Sequence, residues 1–252
     1  MKKNKSLINF WAGIFIFCFY LSFFSCSNAA SFNIPEKLTY DLTWAGIKAG
    51  TASLEVKNDG EKIKIISTAR SVPLISVFYT VDDRVESILL KNTSLPFPGQ
   101  PVNYKIKTRE GRHRKDKEVV FDPNNRWATY IDHLNNEKKE YAVPEIIFDP
   151  ISSFYYLRTL RLEVGEPVYL TIFDSKKVWN VEVQVLRRET LILPIGTFNT
   201  IVVKPLMKSE GIFYRKGDIF IWLTDDAKRI PVKMQTKVSV GSITATLVQG
   251  TY

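Results

Sequence analysis

The sequence predicts an all-β protein, built as a large curved antiparallel sheet or incomplete barrel with one short helix near residues 150–162. Three observations lead there. Apolar side chains recur with a period of two from Leu38 to Leu247, turn-forming residues punctuate the alternating runs, and a single stretch switches to helical spacing.

The first element is a leader. Lys2, Lys3 and Lys5 precede an apolar run from Leu7 to Phe24, and small residues follow in Ser27-Asn28-Ala29-Ala30. That order of charge, apolar stretch and small-residue site is the pattern of a secretory signal peptide. The expected organisation is a signal peptide over residues 1–29 and one all-β domain over 30–252, exported to the periplasm. Three fates of the leader stay open: cleavage after Ala29, lipidation at Cys26, or retention as an anchor. Phe23 stands where a lipidation site usually carries Leu.

Cys18 and Cys26 both lie in the leader, so no disulfide is expected in the mature domain and a Cys nucleophile is excluded there. With 45% apolar and 24% charged residues the chain can bury a core, and wholesale disorder is not expected. The net charge of +9 falls to +6 once the three leader lysines are gone. A basic exported protein meets anionic headgroups or acidic wall polymers, and nucleic acid is not an expected partner.

Leu38, Tyr40, Leu42 and Trp44 alternate with polar residues, as a half-buried strand requires. Ala45 to Gly50 interrupts the pattern and Ala52, Leu54 and Val56 resume it, which reads as a hairpin. Asn58-Asp59-Gly60 is the next turn, before Ile63 and Ile65. Near the other end, Trp179 to Val185 and Ile230 to Val240 alternate in the same way. Turn signals at Glu110-Gly111, Asn124-Asn125, Asn135-Asn136, Pro194-Ile195-Gly196 and Gly241-Ser242 divide the chain into about a dozen strands. In the helical stretch, Ile151, Phe154, Tyr155, Leu157, Leu160 and Leu162 carry the apolar spacing. Asp149 is placed to cap it, Pro150 sits in its first turn, and Gly165 is expected to stop it.

Nothing in this pattern builds an active site. His113 and His133 are the two histidines, without metal-ligand spacing around them, and no catalytic residue, metal or cofactor is assigned. Asp82-Asp83 and Asp225-Asp226 are adjacent carboxylates. Neighbours on a strand point to opposite faces, so adjacency alone makes no acid/base pair, and the second pair reads as a tight turn. Lys105, Lys107, Arg109, Arg112, Arg114, Lys115 and Lys117 surround the Glu110-Gly111 turn, opposed by Glu110 and Asp116. A basic hairpin of this kind suits an anionic lipid surface or a simple solvated edge. Aromatic residues, at 13% of the chain, either fill the core or line a cavity for an acyl chain.

Several motifs in order resemble the bacterial domain of unknown function 3108 family. They run through Glu36-Lys37-Leu38-Thr39-Tyr40, Trp44 to Gly50, Tyr79 to Asp83, Asp149 to Arg158, Pro194 to Phe198 and Ile221 to Val232. The resemblance implies an exported protein of extended antiparallel β structure, distantly like envelope lipoprotein carriers and β-spiral periplasmic proteins, with no catalytic residues to carry over. Within these motifs Asp149, Ser153 and Arg158 fall on or beside the helix, and Arg158 paired with a strand carboxylate such as Asp83 would lock helix to sheet. The expected function is a non-enzymatic envelope protein binding a lipid, lipoprotein or envelope partner, or supporting outer-membrane integrity. Two alternatives stand beside it: a carboxylate-based hydrolase of wall or saccharide substrates, and an assembly protein without a ligand. The sequence fixes neither the ligand nor the oligomeric state.

Overall fold

The computed structural model describes residues 33–91, 97–174, 176–206, 218–238 and 241–252. The expected leader, with Cys18 and Cys26, lies outside the described residues. The strands are β1 (Glu36–Trp44), β2 (Ile47–Asp59), β3 (Lys62–Ser71), β4 (Asp82–Leu90), β5 (Gln100–Glu110), β6 (His113–Asp122), β7 (Trp127–Asp132) and β8 (Glu137–Ala142). After the helix come β9 (Val168–Asp174), β10 (Lys177–Leu193), β11 (Gly196–Pro205), β12 (Ile219–Thr224), β13 (Pro231–Lys237) and β14 (Ser242–Thr251). The helices are α1 (Pro73–Ser76), between β3 and β4, and α2 (Pro150–Thr159), between β8 and β9.

All fourteen strands form one antiparallel sheet in the order β8-β7-β6-β5-β4-β3-β2-β1-β14-β13-β12-β11-β10-β9. The pairing of β1 with β14 joins two meanders, and β8 and β9 are the ends of the sheet. Bulges at Thr39/Tyr40, Leu42/Thr43 and Val185/Arg187 add local twist and help the sheet to curl. The seam between β8 and β9 is bridged by side chains. Lys176 Nζ reaches Glu137 Oε2 at 2.5 Å, and the Tyr141 and Phe173 rings lie 5.6 Å apart. Phe148 extends the β9 edge through backbone bonds from its N–H to Thr171 O and from the Phe173 N–H to its own carbonyl.

Local chemistry explains where the structure departs from the expected boundaries. The first hairpin turns in two residues, Ala45 and Gly46, at φ values of 49° and 86°, so β2 begins at Ile47 rather than after Gly50. Gly50 is a strand residue. A Cβ there would stand 2.3 Å from the Arg70 carbonyl oxygen, so only glycine lets β2 and β3 approach so closely. Helix α2 stops at Thr159, with Leu160 already extended, three residues before the apolar spacing ends. Leu162 is buried beyond the helix, so its periodicity served packing rather than helix. The four-residue helix α1 was not expected; its signal was Pro73 at the first turn.

The core divides into two clusters. One joins Leu38, Tyr40, Leu54, Ile65, Leu89, Tyr104, Phe121 and Tyr130 with Ile151 and Tyr155 of α2. The other gathers Leu157 and Leu162 with Leu170, Val183, Val203 and Leu223. Helix α2 lies between them and is buried around its circumference, a different position from the wet surface helix of a typical layered domain.

Candidate functional site: an apolar cavity beside the central helix

Polar groups at both ends hold α2 in place. Asp149 accepts hydrogen bonds from the backbone N–H groups of Ile151 and Ser152 at 3.0 and 2.9 Å, and Ser152 Oγ accepts from the Asp149 N–H. This capping box satisfies donors that a buried helix start would otherwise strand. Ser87 Oγ on β4 donates to Asp149 Oδ2 at 2.6 Å, tying the cap to the sheet. Burial pushes the Asp149 carboxyl above its ordinary value, against the pull of those donors.

At the other end, Arg158 makes a two-pronged pair with Glu36 of β1, at 2.8 and 2.7 Å, and donates to the Lys228 carbonyl at 3.1 Å. Its guanidinium also lies 5.0 Å from the Tyr155 ring centroid. Glu36, Val56, Ile65 and Ser87 occupy one cross-strand row from β1 to β4. Three interstrand gaps of about 4.8 Å span roughly 14 Å. The nine-residue step from Asp149 to Arg158, at about 1.5 Å each, covers the same distance. The helix therefore lies across the strands with an anchor at each end of one row.

The expected partner of Arg158, Asp83, is elsewhere. It accepts from the Arg109 backbone N–H at 3.0 Å near the start of β4, whereas Glu36 is carried to the helix end by the first residue of β1. Ser153 bonds within the helix, to the Pro150 carbonyl at 2.9 Å.

Between the anchors, one flank of α2 borders a cavity of about 230 Å³. Its wall combines Tyr40, Leu54 and Val85 from one meander, Phe154 and Leu157 from the helix, and Val183, Ile221 and Met234 from the other meander. It thus sits where the two core clusters meet. No charged side chain is among the described residues that line it. The space exists because the sheet beneath carries small residues: Ala52 stands beside Tyr40, and Ser67 stands between Leu54 and Val85. The volume exceeds the roughly 150 Å³ of apolar cavities that stay dry and take up benzene.

The carboxylate pairs do not face one another. Asp82 and Asp83 start β4, at the rim of the β1–β2 turn, where Asp82 pairs with Arg70 at 3.1 Å. Asp225 and Asp226 follow β12 at the opposite rim, beside the start of β13. Asp225 bonds Arg188 and Arg229, and Asp226 accepts from Thr224 Oγ1 and from the N–H groups of Lys228 and Arg229, closing the turn. His133 falls in the β7–β8 turn, 3.3 Å from Glu118. Among the described residues no cluster of His, Cys, Asp and Glu has metal-binding geometry.

The basic residues divide between two faces. Lys105, Lys107, Arg109 and Arg114 point outward from β5 and β6; Lys115 and Lys117 pair with the buried Thr108 and Ile106 and share the inner face; Arg112 sits in the turn. Lys105 meets Glu118 at 3.3 Å, Lys107 meets Asp116 at 3.7 Å, and Lys117 lies 5.5 Å from the Tyr130 ring. Glu118 thus joins the opposing acids. The positive charge is strongest around the turn itself. Of the tryptophans, Trp222 is in the core, while Trp44 and Trp127 are about half exposed.

A model for a family of proteins of unknown function, DUF3108, matches residues 39–248. The chain belongs to the DUF3108 family. In this DUF3108 protein the matched segment begins within β1 and runs into β14, taking in α2 and the cavity, with Glu36 three residues before it. Among solved structures, a β-barrel-like protein of domain of unknown function DUF1849 from Brucella abortus is similar, with a TM-score of 0.53 and 12% identity over 86% of this chain and 96% of that one. A protein with a YmcC-like fold from Bacteroides fragilis NCTC 9343 aligns at a TM-score of 0.34 and 10% identity over 87% and 97% of the two chains. The first likeness shows a shared fold and nothing of function; the second is too low to show even that. No curated protein matches the chain.

Sequence reasoning missed Glu36 as the partner of Arg158 and did not place the cavity. The signals present were small residues at inward positions, Ala52 and Ser67, in a stretch otherwise lined by Leu, Ile and Val.

Proposed function

We propose that this DUF3108 protein is an exported, non-enzymatic envelope protein that binds an apolar chain, such as a lipid acyl group, in the cavity beside α2. The observation that carries the reading is the cavity's wall: about 230 Å³ lined mostly by apolar side chains from both meanders and the helix. A chain placing about six methylenes inside contributes ~5 kcal/mol, at about 0.8 each, before the cost of association. Met234 at the wall suits a flexible ligand, since a thioether adapts its shape to what it packs against. The leader read in residues 1–29 supports export.

The test is a titration of the mature protein with a dansylated undecanoic acid, followed by displacement with palmitate. Saturable one-site binding is expected. Ala52→Phe and Ser67→Leu, which occupy the space from the sheet side, should each weaken binding at least tenfold while the circular dichroism spectrum stays that of the parent. Absence of saturable binding, or equal binding by both filled variants, would refute the reading.

A further inference from the structure

The rim that carries the β1–β2 turn exposes apolar side chains in an unusual concentration. In the connection between β3 and β4, Leu74, Val77 and Phe78 are 73, 76 and 85% exposed, and Tyr79 is 50% exposed. Trp44 and Ile47, flanking the neighbouring turn, are 47 and 70% exposed. The polar groups of the connection are meanwhile satisfied within it. Ser71 Oγ meets Ser76 Oγ at 2.7 Å and accepts from the Val81 N–H at 2.9 Å, Ser76 Oγ donates to the Val72 carbonyl, and Thr80 Oγ1 donates to the Ser76 carbonyl. The backbone of the connection is tied to β2 by the Val72 N–H bond to the Ala49 carbonyl at 2.9 Å. A built segment that turns its hydroxyls inward and its apolar side chains outward inverts the usual pattern for a loop in water.

The basic turn is docked against this apolar knob. The Gly111 N–H donates to the Thr80 carbonyl at 2.8 Å, Val81 bridges to Glu110, and the Tyr79 ring lies where a side chain on residue 111 would stand. Arg109, Arg112 and Arg114 are exposed beside it. Apolar side chains flanked on one side by arginines match the interior and the headgroups of an anionic bilayer, each group meeting its complement at a different depth. The same rim leads to the cavity: Trp44, Ile243, Thr236 and Ile219 share one cross-strand row, and Ile219 lines the cavity wall.

We infer that this rim docks onto the surface of an anionic membrane, with Leu74, Val77 and Phe78 entering the interface and Arg109, Arg112 and Arg114 meeting phosphate headgroups. The docking goes beyond the cavity reading and does not depend on it, since lipid-surface binding and acyl-chain binding are read by separate assays.

The experiment is flotation of the mature protein with vesicles of phosphatidylethanolamine and phosphatidylglycerol, and with vesicles of phosphatidylcholine alone. The parent should partition strongly to the anionic vesicles at low salt and weakly to the neutral ones. Replacing Arg109, Arg112 and Arg114 by Ser should lower partition to anionic vesicles by about five-fold per charge, on the order of a hundredfold together, and remove most of its salt dependence. Leu74→Ser with Phe78→Asp should lower it about tenfold or more without altering dansyl-undecanoate binding. Both variants lie on the solvent side of the rim, and unchanged melting curves will show that they fold. Equal partition of the parent to both vesicle types, or unaltered binding by either variant, would overturn the proposal. So would a parent that ignores vesicles.

Discussion

Removing Arg158 is the sharpest test of how the helix is held. Its side chain and that of Glu36 are 0 and 3% exposed, and their two bonds are 2.8 and 2.7 Å long. Arg158→Met keeps much of the apolar stem but leaves the Glu36 carboxylate buried without its guanidinium. Breaking a buried pair from one side costs about 3–5 kcal/mol. For a domain of this length each kcal/mol lowers Tm by about 2–4 °C, which gives a fall of about 6–20 °C. Arg158→Lys should recover little, because an ammonium cannot make the two-pronged contact. The double change Glu36→Leu with Arg158→Met removes both charges and should return stability to within about 1 kcal/mol of the parent, since buried pairs roughly break even against apolar replacements. Thermal and urea melts of the mature protein, checked for coincident transitions, give these values. A loss below ~1 kcal/mol in the single variant, or a double variant no better than the single, would refute the account.

Gly50→Ala should destabilise by about 1–3 kcal/mol in the same melts, because its Cβ would meet the Arg70 carbonyl oxygen at 2.3 Å and the two strands must part to admit it. Acid should weaken the fold through Glu86 and Asp225. Burial raises both carboxyls, but bonds from Lys64 and Arg84 to Glu86, and from Arg229 and Arg188 to Asp225, outweigh it and hold them below the ordinary range. A depressed folded value means the contribution is present above the unfolded pKa, near 4, and is lost as pH falls through the folded one. Asp149, raised by burial, acts in the opposite sense and loses its contribution as pH rises. A Tm that falls from pH 5 to 3, less steeply in Glu86→Gln, is the expected result. Ser67→Leu should raise stability by about 1 kcal/mol by filling space, even as it weakens ligand binding.

The period-two reading found the sheet because most strands here keep one face inside, as in Leu38 and Tyr40 of β1 or Val181, Val183 and Val185 of β10. It worked less well where that premise fails. Ile201, Val202 and Val203 are all fully buried, so β11 reads as a continuous apolar run rather than an alternation. The cap at Asp149 was legible because capping is local, a matter of three residues. The partner of Arg158 was not, because Glu36 is 122 residues away and adjacency across a curled sheet depends on register and bulges. The cavity shared that difficulty. Small residues such as Ala52 and Ser67 mark it only once the facing helix has been placed.

The anchors and the cavity answer to different parts of the sequence, and that separation can be measured. Asp149 with Ser87, and Arg158 with Glu36 and the Lys228 carbonyl, fix the helix by hydrogen bonds that do not touch the cavity. The cavity volume then follows from what projects toward the fixed helix, and Ser67 lies two residues along its strand from the row that holds Glu36 and Ser87, about 7 Å away. Sites so arranged should contribute independently. Ser67→Leu and Arg158→Met, combined, should change stability by the sum of their single effects to within about 0.5 kcal/mol. Coupling well above that would mean that the helix shifts when the space fills, and that its position, rather than the small side chains beneath it, sets the room for a ligand.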